Sequence, residues 1–104
     1  MLRNAWTMQL KPGCEAEYKK RHDEIWPELS AALKEAGISD YSIFLEADTG
    51  RLFAVQKLTE SNTAEALKQH PVVRKWWDYM ADLMDTHPDH EPVCLPLDEV
   101  FRLD

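Results

Sequence analysis

YSIFLEADTGRLFAVQKL, residues 41–58, decides the fold. Tyr41, Ile43 and Leu45 alternate with Ser42 and Phe44; Leu52, Ala54, Gln56 and Leu58 alternate with Arg51, Phe53, Val55 and Lys57. A period of two predicts strands over 41–46 and 51–58. Ala47-Asp48-Thr49-Gly50 between them reads as a hairpin loop closed by a glycine. An antiparallel pair therefore sits at the middle of the chain, and its flanks set the topology.

Upstream, residues 2–10 also alternate, with Leu2, Trp6, Met8 and Leu10 against Arg3, Ala5, Thr7 and Gln9, so another strand is expected. Lys11-Pro12-Gly13 is a turn. From 14 to 36 the period lengthens: Tyr18, His22, Ile25, Leu29, Leu33 and Ala36 recur at helical spacing, and Gly37 supplies the left-handed stop. Pro27 splits this helix and fits the first position of its second half, where a missing N–H costs nothing. Downstream, Asn62 with Glu65 predicts a capping box and a short helix to about Gln69. Pro71 opens a helix over 71–85, whose broad apolar stripe carries Val73, Trp76, Trp77, Met80, Leu83 and Met84. Residues 86–92 read as a polar loop and 93–103 as an extended segment interrupted by Pro96. The order β-α-β-β-α-β predicts one α+β domain over 1–104, ferredoxin-like, with an antiparallel sheet and helices on one face.

Both faces of the central hairpin are apolar. A bare face carrying Phe44, Phe53 and Val55 would be a larger exposed patch than monomers usually tolerate. Two resolutions follow: a homodimer in which two sheet faces cover each other, or a ligand cavity on one face.

The 104 residues are 44 % hydrophobic and 30 % charged, the composition of an ordinary globular domain. A net charge of −7 with no Lys/Arg cluster argues against a nucleic-acid partner. No apolar run approaches membrane-spanning length, and the N-terminal stretch lacks the pattern of a secretory leader. Cys14 and Cys94 sit in no metal or redox spacing and read as reduced thiols of a cytoplasmic protein.

The residues that carry chemistry converge on YKKRHDEIWPE, 18–28. Tyr18 and His22 are one turn apart on one helix face. An imidazole titrates near neutrality and can both give and take a proton. Taken alone, a histidine on such a face is more often a packed, hydrogen-bonded residue than a reactive one. Tyr41 at a strand mouth and the Trp76–Trp77 pair shift that balance. Adjacent helical residues point about 100° apart, so one of the two tryptophans is a candidate cavity wall while the other fills core. Indoles beside hydroxyls and an imidazole suit a sugar, which has an apolar C–H face and many OH groups. HPDHE at 87–91 could be imagined as a metal site, but no third ligand completes a familiar pattern, and a solvated acidic loop is the better reading.

YKKRHDEIWPEL at 18–29, YSIFL at 41–45, LFA at 52–54, KWWDYM at 75–80 and LDEVFRL at 97–103 together closely resemble the L-rhamnose mutarotase family. The resemblance runs through essentially the whole chain; the family's last strand varies, and Cys94-Leu95-Pro96 is not among the residues that carry the match. It implies a dimeric α+β barrel, an isomerase interconverting the α and β anomers of L-rhamnose or a related deoxyhexose. It places His22 at the proton-donating position and Tyr18, Tyr41, Trp76 and Trp77 at substrate-contacting positions, and it implies neither a metal nor an organic cofactor. Two other classes share this barrel: haem-degrading or quinol-type monooxygenases, and non-catalytic ligand-binding proteins.

Overall fold

The computed structural model describes residues 2–104; Met1, the first residue of the expected domain, lies outside them. The strands are β1 (Leu2–Gln9), β2 (Ile38–Glu46), β3 (Arg51–Leu58) and β4 (Leu95–Leu97). The helices are α1 (Glu15–Asp23), α2 (Pro27–Glu35) and α3 (Pro71–Met80), with a 3₁₀ helix at Ala64–Gln69. All strand pairs are antiparallel, in the order β2-β3-β1-β4, which is the ferredoxin-like arrangement expected. No helix among the described residues is long and apolar enough to cross a membrane.

β1 and β3 pair along their whole length, with Trp6 opposite Ala54, Met8 opposite Leu52 and Asn4 opposite Gln56. Because side chains alternate, these residues share one face, and Met8, Leu10, Leu52 and Ala54 on it form a core with Tyr18, Leu29, Val73, Trp76 and Met80 of the helices. β2 is longer than the sequence suggests and carries a bulge. Ser39 faces Lys57 and Ser42 faces Val55, so Asp40 and Tyr41 together oppose Gln56. Asp40 takes the left-handed conformation, φ 47°, which aspartate tolerates, and its carboxylate lies 3.3 Å from the Lys57 ammonium. The bulge resets the alternation, so Tyr41, Ile43 and Leu45 face the helices together with Ile38.

α1 is almost wholly polar, and only Tyr18 on it is buried. Its stability comes from pairs one turn apart, Lys19 to Asp23 at 2.8 Å and Arg21 to Glu17 at 2.9 Å, and from tertiary anchoring. The helix ends at Asp23. Trp26 is extended, as a residue before proline must be, and Pro27 is the first residue of α2. Gly37 follows α2 with φ 91°; a Cβ there would collide with the Thr59 hydroxyl, so both conformation and space require glycine.

Four expectations change. The 64–69 segment is 3₁₀, not α, and the expected capping box is absent: the Asn62 side chain accepts from Ala64 N at 3.2 Å while Glu65 pairs with Lys68 at 2.9 Å. Six residues before a proline leave too little length for an α-helix to propagate. The helix over 71–85 stops at Met80. Beyond it the backbone turns to meet the end of β1, where Lys11 N donates to Leu83 O and Asp85 N to Gln9 O, both at 2.9 Å. Leu83 and Met84 are buried as expected, but from this turn. The final extended segment is a strand only at Leu95–Leu97, and 98–104 adopt no regular structure. Pro96 lies inside β4, tolerated because β4 is an edge strand.

Candidate active site

Between the helices and the sheet lies a cavity of about 990 Å³ with mostly apolar walls. Tyr18 and His22 reach it from α1, Trp76 and Trp77 from α3, Trp6 and Gln56 from the central strands, and Tyr41 from β2. Glu65, Lys68, Glu91 and Cys94 line it as well. A second hollow of about 350 Å³, under the 47–50 loop, holds no aromatic ring or imidazole.

His22 is tied at one end. Its Nδ1 lies 3.1 Å from the carbonyl oxygen of Tyr18, one turn back, so Nδ1 carries the proton and donates it, and Nε2 is the nitrogen left for exchange. Burial pushes the His22 pKa below the ordinary imidazole range, partly opposed by that hydrogen bond. The ring therefore rests neutral at neutral pH. Its centroid is 4.3 Å from the Tyr18 ring and 5.4 Å from the Trp76 ring, edge to face with the latter.

Trp76 is only 8 % exposed and sits at the centre of an aromatic cluster. Trp26 meets it edge-on at 5.0 Å, and Tyr79 lies 5.7 Å from it and stacks on Trp26 at 5.5 Å. Trp77 is half-buried, with the Arg74 guanidinium 4.9 Å from its ring centre. Tyr18 is buried, and burial raises its phenol pKa, with Tyr41 and Cys94 near enough to add to the rise. Burial likewise raises the Tyr41 phenol pKa; its ring packs against Trp6 at 5.8 Å. Both phenols stay protonated throughout the physiological range and act as hydroxyl donors.

α1 is held in place by Arg21, whose side chain is 13 % exposed. It donates to the Tyr79 carbonyl at 2.6 Å and to Asp82 at 2.9 Å, and lies over the Tyr79 ring at 4.3 Å. This clamp joins α1 to the end of α3 one residue before His22, fixing the imidazole against Trp76.

Comparison with known proteins is decisive at this point. The family model described as L-rhamnose mutarotase matches residues 3–103. The chain belongs to the L-rhamnose mutarotase family. It is 56 % identical over 103 residues to the L-rhamnose mutarotase of Flavobacterium johnsoniae, covering 99 % of this chain and 96 % of that one. It is 53 % identical to the L-rhamnose mutarotase of Bacteroides thetaiotaomicron over the full length of both. Its fold superimposes on the crystal structure of L-rhamnose mutarotase from Formosa agariphila with a TM-score of 0.93 and 45 % identity, covering all of both chains.

All five residues singled out in this L-rhamnose mutarotase family sequence, Tyr18, His22, Tyr41, Trp76 and Trp77, line the cavity between helices and sheet. Sequence reasoning passed over Trp6, Gln56 and Cys94 as cavity residues, and Tyr79 as a support. Trp6 and Gln56 lie on the strand faces that the alternation predicts; a glutamine on an apolar face is the signal. Cys94 and Tyr79 carry no local signal and are brought in by tertiary structure. The 87–91 loop is spent on fastening: Arg74 pairs with Asp89 at 3.2 Å, and His90 Nδ1 lies 2.9 Å from Asp78. His70 caps α3, accepting from Val72 N at 3.1 Å.

Proposed function

We propose that this chain is an aldose mutarotase, an isomerase interconverting the α and β anomers of L-rhamnose by acid/base-assisted ring opening. One observation carries the reading: an imidazole anchored through Nδ1, with Nε2 free, stands in an aromatic-walled cavity beside two neutral phenols. Opening a pyranose requires a proton to leave the anomeric hydroxyl and another to reach the ring oxygen. His22 takes the first on Nε2. Tyr18 and Tyr41 donate hydrogen bonds to sugar oxygens, and the phenol bonded to the ring oxygen passes its proton there as the C1–O5 bond breaks and takes it back as the ring recloses. After the aldehyde carbon rotates, the imidazolium returns its proton to the carbonyl oxygen as the ring closes. In this scheme His22 is a proton donor, as the family resemblance implies, but only after it has acted as a base. Trp76 and Trp77 offer ring faces to the C–H face and 6-methyl group of the sugar, and positioning against His22 adds to the rate. No metal or organic cofactor is needed for these steps.

Polarimetry of freshly dissolved L-rhamnose, with and without the protein, tests the proposal. Faster relaxation to the equilibrium rotation supports it; sugar binding without faster relaxation would leave a binding protein, and a haem-dependent absorbance band would favour the monooxygenase class. The family match lends support to neither alternative.

The sheet face away from the helices supports a homodimer. Phe44 is 62 % and Leu95 63 % exposed there, beside half-buried Phe53 and Val55, and the chain end adds exposed Val100, Phe101 and Leu103. Paired sheet faces would bury this surface. Light scattering is expected to give twice the mass of the 104-residue chain; a monomer at micromolar concentration would reject the pairing. The two cysteines, both free, fit a reducing cytoplasm.

A further inference from the structure

Gln56 is buried, 5 % exposed, on the cavity face of β3 between Asn4 and the bulged pair Asp40–Tyr41. A primary amide offers two donors and an acceptor, and buried polar groups are normally bonded. Among the described residues no hydrogen bond holds the Gln56 side chain. None of their side-chain nitrogens or oxygens is both sealed from solvent and unpartnered. The amide is therefore open, and the space it opens onto is the cavity that Gln56 lines. Leucine or methionine would fill the same place on this apolar face without desolvating an amide. The next residue along this face of β3, Ala54, and Trp6 opposite it follow that apolar logic; Gln56 departs from it on the same face as His22's cavity.

We infer that Gln56 is a specificity-determining substrate contact: its amide oxygen accepts from one sugar hydroxyl while its NH₂ donates to the neighbouring one. The ligand chemistry is thus a vicinal diol on a pyranose, held from the sheet side while the imidazole and phenols work from the helix side and β2. The assignment rests on the proposed mutarotase activity and deepens it, since apolar walls hold a methyl group but cannot count hydroxyls.

The test is anomer exchange of L-rhamnose by Gln56→Met and Gln56→Glu, with thermal unfolding of each. Gln56→Met keeps length and removes both polar atoms; KM should rise about 10- to 100-fold with kcat within about threefold, and the melting temperature should hold or increase. Gln56→Glu keeps an acceptor and loses the donor, so its KM should also rise. Rhamnose analogues lacking one of the paired hydroxyls should discriminate between parent and Gln56→Met far less than rhamnose does. An active parent with unchanged KM in Gln56→Met overturns this assignment alone. Collapse of folding in both variants also overturns it, because an amide without a protein partner has no structural bond to lose. A parent that does not accelerate exchange overturns both this assignment and the mutarotase reading.

Discussion

Replacing His22 by alanine is expected to remove most of the acceleration of anomer exchange, roughly 10²- to 10⁴-fold, the usual contribution of one positioned acid or base. Saturation-transfer NMR on equilibrated L-rhamnose measures the exchange rate directly. The loss should be catalytic, not structural: the ring is half-buried, and its one hydrogen bond, to the Tyr18 carbonyl, is worth about 1 kcal/mol. Undiminished exchange in His22→Ala would remove the imidazole from the mechanism. The pH profile carries a second expectation. Burial lowers the His22 pKa, so the neutral base is already present at pH 7, and kcat/KM should stay level there and fall only under acid conditions. A rate that instead climbs as pH drops through the histidine range would make the imidazolium the entering form. The sign for stability runs the same way. The unfolded chain takes up the proton first on acidification, at its higher pKa, so native stability is present above that pKa and declines as pH falls below it.

Trp76→Ala should be the most destabilising single change in the site. Its indole is 8 % exposed and touches the rings of His22, Trp26 and Tyr79. Truncating such a residue costs about 3–5 kcal/mol, a large part of the ~5–15 kcal/mol that holds a domain together. A melting temperature lower by about 12 °C or more is expected. Trp77→Ala should behave differently: half-buried and packed on Arg74, it should lose little stability and weaken sugar binding about tenfold. Mutarotation leaves the sugar mixture at equilibrium, so titration calorimetry can read binding without substrate being consumed. Similar stability losses in both variants, with binding intact in Trp77→Ala, would make both tryptophans core. Sequence spacing alone suggests that one of the pair fills core and one lines the cavity; the structure has Trp76 doing both.

Much of this was legible in advance for physical reasons. Alternation over 51–58 gives every side chain of β3 its face, because a strand has only two. Pro27 and Gly37 mark their boundaries through backbone constraints that need no tertiary context. The end of α3 was not legible, since 81–84 keep helical apolar spacing while their backbone is drawn off to bond β1. The brevity of β4 was hidden as well: Val100, Phe101 and Leu103 read as strand residues but find no partner strand among the described residues. In the site, Tyr18 and His22 were visible as a helix pair, whereas Tyr79, 57 to 61 residues distant from them in sequence, joins only through folding.

The bulge in β2 constrains how such a site can evolve. Surface loops absorb insertions and deletions with little harm, but β2 counts residues by parity. Losing Asp40 would merely leave Tyr41 alone opposite Gln56, but losing Ser42, beyond the bulge, would bring Phe44 and Glu46 to the wall that Ile43 and Leu45 now form, changing it from alkane to benzene and carboxylate in one genetic event. Lineages with this cavity can therefore tune their sugar by point substitution along β2, while a change of length between the bulge and the hairpin erases one wall of the site.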